Sequence, residues 1–256
     1  MRILITNDDG IEASGLKVLR EIAAELSDNV WTVAPETDHS GAGHSMSLRN
    51  PVRMRKIDEQ TYAVNGTPTD CVVMAVRHVM FDNPPDLVLS GVNIGQNLAE
   101  DVTYSGTIAA AFEGTLMGIR SIALSQAFNF RSGCEPCWET AKHFAANLVR
   151  QLLVPSWPEN VLMNINFPNC LPDDLKGVLI TEQGRRNRSA LPVKELEDTW
   201  GRPYYWLGFA REVSRPEKDT DLWAVHNGCV SITPLSVDLT AGDTIRMLQK
   251  IKLTHK

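Results

Sequence analysis

The chain has 256 residues, 43% hydrophobic and 22% charged, which suits a globular protein built as one large α/β domain or a core with an elaboration. With 25 basic and 31 acidic residues its formal charge is −6, so it has no electrostatic reason to coat a nucleic-acid polymer, although local donors and a metal can still hold a small phosphate ester. No stretch approaches the roughly 18 apolar residues of a membrane span, and the opening Met1-Arg2-Ile3-Leu4-Ile5-Thr6-Asn7-Asp8-Asp9 is too short an apolar run for a signal peptide; the expectation is a cytoplasmic protein with no membrane partner.

Arg2 to Thr6 reads as a buried strand ending in an Asn-Asp-Asp-Gly turn. Leu16, Leu19, Ile22, Ala23 and Leu26 then recur at helical spacing, and Val30 to Ala34 is a strand stopped by Pro35. Strand, helix and strand in about 35 residues make a βαβ unit, hence a parallel sheet. Thr61 to Val64 is extended, and a helix runs from Thr67-Pro68 to about Met80, with Thr67 suited to N-cap, Pro68 to N1 and Asp70 to the first turn. Strands at Asp86–Ser90, Ile119–Ser125 and Val161–Phe167 alternate with helices at Thr107–Gly118 and Trp138–Leu153. The fold class is therefore α/β, a Rossmann-like, doubly wound and mostly parallel sheet. Residues 182 to 220 mix charges, prolines and the run Tyr204-Tyr205-Trp206, too polar for a core βα repeat. They read as a hairpin excursion that either meets another subunit or packs back on its own domain. Residues 229 to 235 return as a strand.

Five cysteines at irregular spacing form no disulfide framework. The lone Cys134-Glu-Pro-Cys137 lacks the second pair of a zinc site and reads as loop thiols before it reads as a metal or redox centre.

Doubly wound sheets bind ligands at the carboxyl ends of their strands, and four polar clusters fall there. In Asn7-Asp8-Asp9-Gly10 two adjacent carboxylates repel each other, a repulsion that a hard cation such as magnesium, manganese or calcium relieves; an Asx turn capping the next helix is the other reading. His39 to Ser45 is rich in Gly and Ser, so its backbone can approach a ligand, Ser40 can offer a hydroxyl to a metal, and His39 or His44 can contact phosphate or move a proton; a mobile surface loop explains the same composition. It is not a Walker A loop. In Ser90-Gly-Val-Asn-Ile-Gly-Gln-Asn97, Asn93 can give a metal an uncharged carbonyl oxygen and Asn97 can donate its amide to a phosphate. That pattern is not GxGxxG, which disfavours a nicotinamide cofactor. Ser105-Gly106-Thr107 at a helix N-terminus presents N–H groups and hydroxyls to an anion, or simply caps the helix.

Taken together, RILITNDDG (2–10), SGAGHS (40–45), GTPTDC (66–71), SGVNIGQN (90–97), YSGTIAAAFEG (104–114) and SITPL (231–235) resemble the SurE family, the survival-protein-E nucleotidases, in order and over nearly the whole chain. The resemblance implies a single domain over 1–256 that removes phosphate from nucleoside 5′- and 3′-monophosphates, with short polyphosphate a further substrate of some members. It implies one divalent cation per subunit, Mg²⁺ or Mn²⁺, on Asp8, Asp9, Ser40 and Asn93, and phosphate on Asn97, Ser105, Gly106 and Thr107. It also implies a homodimer or homotetramer exchanging C-terminal elements, which matches the excursion at 182–220. In the expected reaction water attacks phosphorus and Asp8 or Asp9 accepts its proton; Asp9 as nucleophile is the alternative, since adjacent aspartates fit the DxD logic of haloacid dehalogenases poorly. A non-catalytic nucleotide-binding module that needs no metal is the competing class.

Overall fold

The computed structural model describes residues 1–129, 136–186, 192–208 and 216–251. The first βαβ unit is β1 (Arg2–Thr6), α1 (Ser14–Leu26) and β2 (Asn29–Pro35). After it come β3 (Arg53–Lys56), β4 (Thr61–Asn65), α2 (Pro68–Met74), β5 (Leu87–Ile94), α3 (Gly106–Leu116), β6 (Arg120–Gln126), α4 (Glu139–Leu153) and β7 (Val161–Phe167). The last third holds β8 (Gly177–Ile180), β9 (Val193–Glu197), β10 (Pro203–Leu207), α5 (Asp221–His226), β11 (Cys229–Ser236) and α6 (Gly242–Leu248).

Nine strands form one sheet in the order β3-β4-β2-β1-β5-β6-β7-β11-β8. From β4 to β7 all neighbours run parallel, whereas β3 and β11 pair antiparallel with β4 and β7. The parallel strands are buried on both faces, and their period-2 alternation divides the core. Ile3, Ile5, Leu87, Leu89, Ile122 and Leu124 pack against α1 and α4. Leu4 and Val88 point the other way, toward α2 and α3. Helix α1 turns Leu16, Leu19, Ile22 and Ala23 onto the sheet, as their spacing predicts.

The order fixes where a ligand can enter. From β1 the chain moves outward through β2 to β4, then crosses back to lay β5 on the opposite side of β1. Connections that leave in opposite directions open a crevice at the carboxyl ends of β1 and β5, the topological switch point.

Several elements depart from the sequence reading. Strand β5 does not stop at Ser90 but continues to Ile94 across a register irregularity between Ser90 and Asn93. Gly91 makes this possible: its φ is +135°, and a Cβ there would lie 2.2 Å from the Leu124 carbonyl oxygen, so only glycine fits. Helix α2 is α-helical only to Met74 and gives way to a wide π turn over Ala75–Val79. Strand β3 is an exposed edge of sequence Arg-Met-Arg-Lys with no apolar run to betray it. Helices α5 and α6, of six and seven residues, are too short for a periodic signature.

The expected hairpin is present inside the 182–220 segment as β9 and β10, an antiparallel pair forming its own two-stranded sheet. Tyr205, Trp206 and Leu207 on it are 57%, 63% and 78% exposed. Residues 187–191 and 209–215 of the segment, and Cys134 of the Cys-x-x-Cys pair, lie outside the described residues. Among the described residues no helix is long and apolar enough to cross a membrane.

Candidate metal and phosphate site

The turn after β1 is made by Asn7, whose side-chain amide donates to the Gly10 carbonyl at 2.9 Å. Gly10 takes φ +104°, and the Ile11 N–H then reaches the Pro35 carbonyl at 2.8 Å. Helix α1 begins after Ala13 with no side-chain cap. Neither aspartate is therefore used as a helix cap, and both carboxylates are left to the switch-point crevice.

Asp8 is almost fully buried. Its Oδ1 accepts from the Thr107 hydroxyl at 2.5 Å, and it lies at the positive N-terminus of α3. Burial raises its carboxyl above the usual range, while the Thr107 hydroxyl and backbone N–H oppose the rise. Asp9 is pushed up to about 7, first by burial and then by the charges of Asp8 and Asp38, with the Ile94 N–H opposing. Its Oδ2 is buried with no hydrogen-bond partner. An unpartnered buried carboxylate oxygen is costly, and beside a second carboxylate it is the atom a cation would complete.

Ser40 sits on the loop after β2. The His39 N–H donates to the Asp8 carbonyl at 2.8 Å, bringing the loop to the crevice, while the Ser40 N–H and hydroxyl donate to Asp38 Oδ1 at 2.7 and 2.6 Å. Further along, the Gly43 N–H bonds the Tyr104 carbonyl at 3.0 Å, His44 Nε2 pairs with Glu113 Oε2 at 2.8 Å, and the Thr67 hydroxyl donates to the Ser45 carbonyl at 2.7 Å. The loop is anchored to α3 and to the N-cap of α2. Asn93 enters from β5, its amide nitrogen donating to the Gly95 carbonyl at 2.9 Å; the Ile94 N–H that faces Asp9 is the next backbone group.

At α3, Ser105 caps the helix, accepting from the Ile108 N–H at 3.1 Å. Thr107 spends its hydroxyl on Asp8. Gly106 lies against Asp8 so closely that a Cβ would come within 2.7 Å of Asp8 Cβ. Asn97 points elsewhere. It is buried, its Nδ2 donates to Ser125 Oγ at 2.9 Å, and its N–H donates to Asn166 Oδ1 at 2.8 Å. Its carbonyl accepts from Asn164 and Asn166 at 2.8 and 3.2 Å.

The structure thus gathers Asp8, Asp9, Asn93, Gly106 and Thr107 at one crevice with the Ser40 loop against it, and sets Asn97 in an amide cluster at the ends of β6 and β7. Sequence reasoning passed over Asp38, Glu113, Ser125, Asn164 and Asn166. The two asparagines had a signal, Asn-Ile-Asn two apart in an apolar strand and so on one face; Glu113 and Asp38 had none. Cys71, Cys137, Cys170 and Cys229 are free thiols. Among the described residues no three His, Cys, Asp or Glu side chains gather as a metal cluster, so a cation here would depend on two carboxylates and neutral oxygens. Such oxygen-only donors suit a hard cation rather than zinc or copper.

Over nearly its whole length the chain is similar to proteins of one family. Residues 3–190 match the family model described as Survival protein SurE. A Parvibaculum lavamentivorans protein named 5′-nucleotidase SurE is 56% identical over 248 residues, covering 97% of this chain and 90% of that one. A Methylobacterium relative of the same name is 53% identical, covering 96% and 97%. The crystal structure of the Aquifex aeolicus SurE protein superposes with a TM-score of 0.83 at 39% identity, covering 98% of this chain and 99% of that one. The doubly wound fold agrees with that structure, and the relatives' names are those of an enzyme rather than of a binding module.

Proposed function

The chain belongs to the SurE family, and from that premise we propose that it is a divalent-metal-dependent nucleotidase releasing phosphate from nucleoside 5′-monophosphates, with 3′-monophosphates and short polyphosphate as further substrates. The observation that carries this reading is the Asp8–Asp9 pair at the switch point, with Asp8 buried, the buried Asp9 Oδ2 lacking any partner and the N-terminus of α3 directed at Asp8.

Asp8 and Asp9, with Ser40 and Asn93, would hold one Mg²⁺ or Mn²⁺. When bound, that ion supplies neutralisation of the carboxylate pair and Lewis acidity toward a phosphoryl oxygen. Thr107 acts through Asp8: its hydroxyl fixes the Oδ1 orientation and leaves Oδ2 for ligation. The first-turn N–H groups of α3 at Gly106, with the Ser105 side chain beside them, would bind phosphoryl oxygens, where fixed donors stabilise the charge of the transition state. Asp8 or Asp9, through whichever carboxylate oxygen the cation leaves free, would take the proton of the attacking water.

A panel of nucleoside monophosphates assayed with Mn²⁺, Mg²⁺ and EDTA tests the reading. Hydrolysis should require the cation, and Asp8→Asn and Asp9→Asn should each lower kcat/KM by about 100-fold or more. Activity unaffected by EDTA, or kept by both variants, would overturn it. A homodimer or homotetramer is part of the proposal, supported by the exposed aromatic strand β10; light scattering after Trp206→Asp should show smaller particles than the wild type.

A further inference from the structure

Two wholly buried asparagines on β7, Asn164 and Asn166, have no part in the proposed chemistry. Standing two apart on a strand, they share one face. For packing alone, apolar β-formers such as the buried Leu162, Ile165 and Phe167 of the same strand would serve better there. What the pair supplies is a set of bonds to one residue of another loop. Asn166 Oδ1 accepts from the Asn97 N–H at 2.8 Å. The Asn97 carbonyl accepts from Asn164 Nδ2 at 2.8 Å and from Asn166 Nδ2 at 3.2 Å. Asn166 Nδ2 also donates to Asn164 Oδ1 at 3.1 Å, which fixes the two amides relative to each other. Both main-chain groups of Asn97 are thus satisfied by side chains, as a neighbouring strand would satisfy them.

That bonding reaches the crevice through a short turn. Asn166 pairs in register with Ser125 of β6, and Ser125 with Asn93 of β5, so the three residues stand at one level across the sheet. From Asn93 the chain turns through Gly95, whose φ of +107° only a residue without a Cβ adopts freely. The Gly95 N–H reaches the Gln126 carbonyl at 2.8 Å, and its own carbonyl accepts from Asn93 Nδ2 at 2.9 Å. With that nitrogen engaged, the Asn93 Oδ1 is presented in one orientation. The turn is therefore tied to β6 at Gly95 and to β7 at Asn97, and the Asn93 carboxamide takes its direction from between the two ties. We propose that Asn164 and Asn166 are positioning residues for Asn93: by holding Asn97 they fix the Gly95 carbonyl, and through it the carboxamide offered to the cation. Partners behind a ligand set its orientation in this way at metal sites generally. The proposal rests on the metal reading above for the role of Asn93, but on the hydrogen bonds alone for its placement.

The test compares the wild type with Asn166→Ala, Asn93→Ala, the double variant of the two, and the milder Asn164→Ala, which keeps the bond from the Asn97 N–H to Asn166. Circular dichroism confirms folding. Mn²⁺ binding is read without substrate from the electron paramagnetic resonance signal of the free ion, and the mobility of the turn from hydrogen–deuterium exchange over residues 94–98. Asn166→Ala and Asn164→Ala should each weaken Mn²⁺ binding about tenfold or more and speed that exchange. In the double variant the Asn166 change should weaken binding no further than Asn93→Ala alone, because residues that act through one ligand are not additive; a merely structural loosening would add its own loss. If the wild type binds Mn²⁺ and the folded Asn164 and Asn166 variants bind it equally well, or the double variant shows the full sum, the positioning role is wrong while the metal reading stands. If the wild type binds no Mn²⁺ but the variants exchange faster over residues 94–98, the metal reading fails and the placement of the turn by β7 is supported. Unchanged exchange there would overturn the proposal whatever the cation does.

Discussion

Gly106→Ala isolates one claim about how the crevice is built. The change keeps the residue-106 N–H, so any backbone donor to phosphate survives, and it adds only a methyl group. That carbon would sit 2.7 Å from Asp8 Cβ, 3.0 Å from Asp8 Oδ2 and 3.1 Å from Pro68 Cγ. Carbon atoms settle at about 3.5–4.0 Å, so Asp8 and the start of α3 must separate by about 1 Å. Overpacking of this kind costs about 1–3 kcal/mol, offset by about 1 kcal/mol from replacing glycine in a helix. The net loss is about 0–2 kcal/mol, a fall in Tm of less than about 8 °C for a domain of this size. Activity should suffer far more, since a displacement of about 1 Å in a positioning group costs about 100-fold, or about 3 kcal/mol in the barrier. Thermal unfolding alongside Mn²⁺-dependent nucleotide hydrolysis reads both quantities. A variant with kcat within threefold of wild type would refute the argument that Gly106 sets the place of Asp8.

Three further outcomes are expected. Asp9 rises from an unfolded value near 3.8 to about 7 in the fold, and Asp8 shifts the same way; the stability tied to protonated Asp9 is thus full below about pH 4 and lost as pH climbs through about 7, up to about 4 kcal/mol. A cation that binds the ionised pair should accordingly raise Tm more at pH 8 than at pH 5.5 in differential scanning fluorimetry, and equal rises would contradict the coupling. Gly15→Ala, a change that ordinarily favours a helix by about 1 kcal/mol, should instead destabilise by about 3 kcal/mol or more in urea unfolding, because the new Cβ would lie 1.9 Å from the Val92 carbonyl oxygen and no rotamer can relieve a backbone clash. His44→Ala leaves the buried Glu113 without its 2.8 Å partner, so urea stability should fall by about 1 kcal/mol and the Mn²⁺ concentration for half-maximal activity should rise as the Ser40 loop loosens; an unchanged metal midpoint would show that this anchor does not serve the site.

The parallel core was legible because its strands carry short apolar runs and its helices carry 3.6-residue periodicity, two patterns set by burial alone. Where burial is slight the sequence is silent: β3 exposes Arg53, Arg55 and Lys56, and β8 alternates partly buried Gly177 and Leu179 with exposed Val178 and Ile180, an inversion of the apolar-inside rule. The continuation of β5 through Ser90-Gly91-Val92-Asn93 was hidden for another reason. Its Gly and Asn read as a loop, while backbone pairing with Ser125 and Gln126 of β6 keeps the segment in the sheet.

The site was legible as a set of strand-end residues but not as a set of directions. Residue type limits what a side chain can bind, and the packing behind it decides what it does bind. Thr107 and Asn97 show the difference. Both looked like phosphate donors, yet the Thr107 hydroxyl lies on Asp8 because Gly106 lets α3 approach within contact of that aspartate. Asn97 meets Ser125, Asn164 and Asn166, whose place at the ends of β6 and β7 depends on a sheet order no local pattern encodes. The same order explains why so few charges suffice. At a switch point the open crevice and the α3 N-terminus already favour an anion, and a pair of largely enclosed carboxylates would be enough to attract a cation to it. The neutral donors Ser40 and Asn93 would then complete such a site without adding the repulsion that a third or fourth acid would bring.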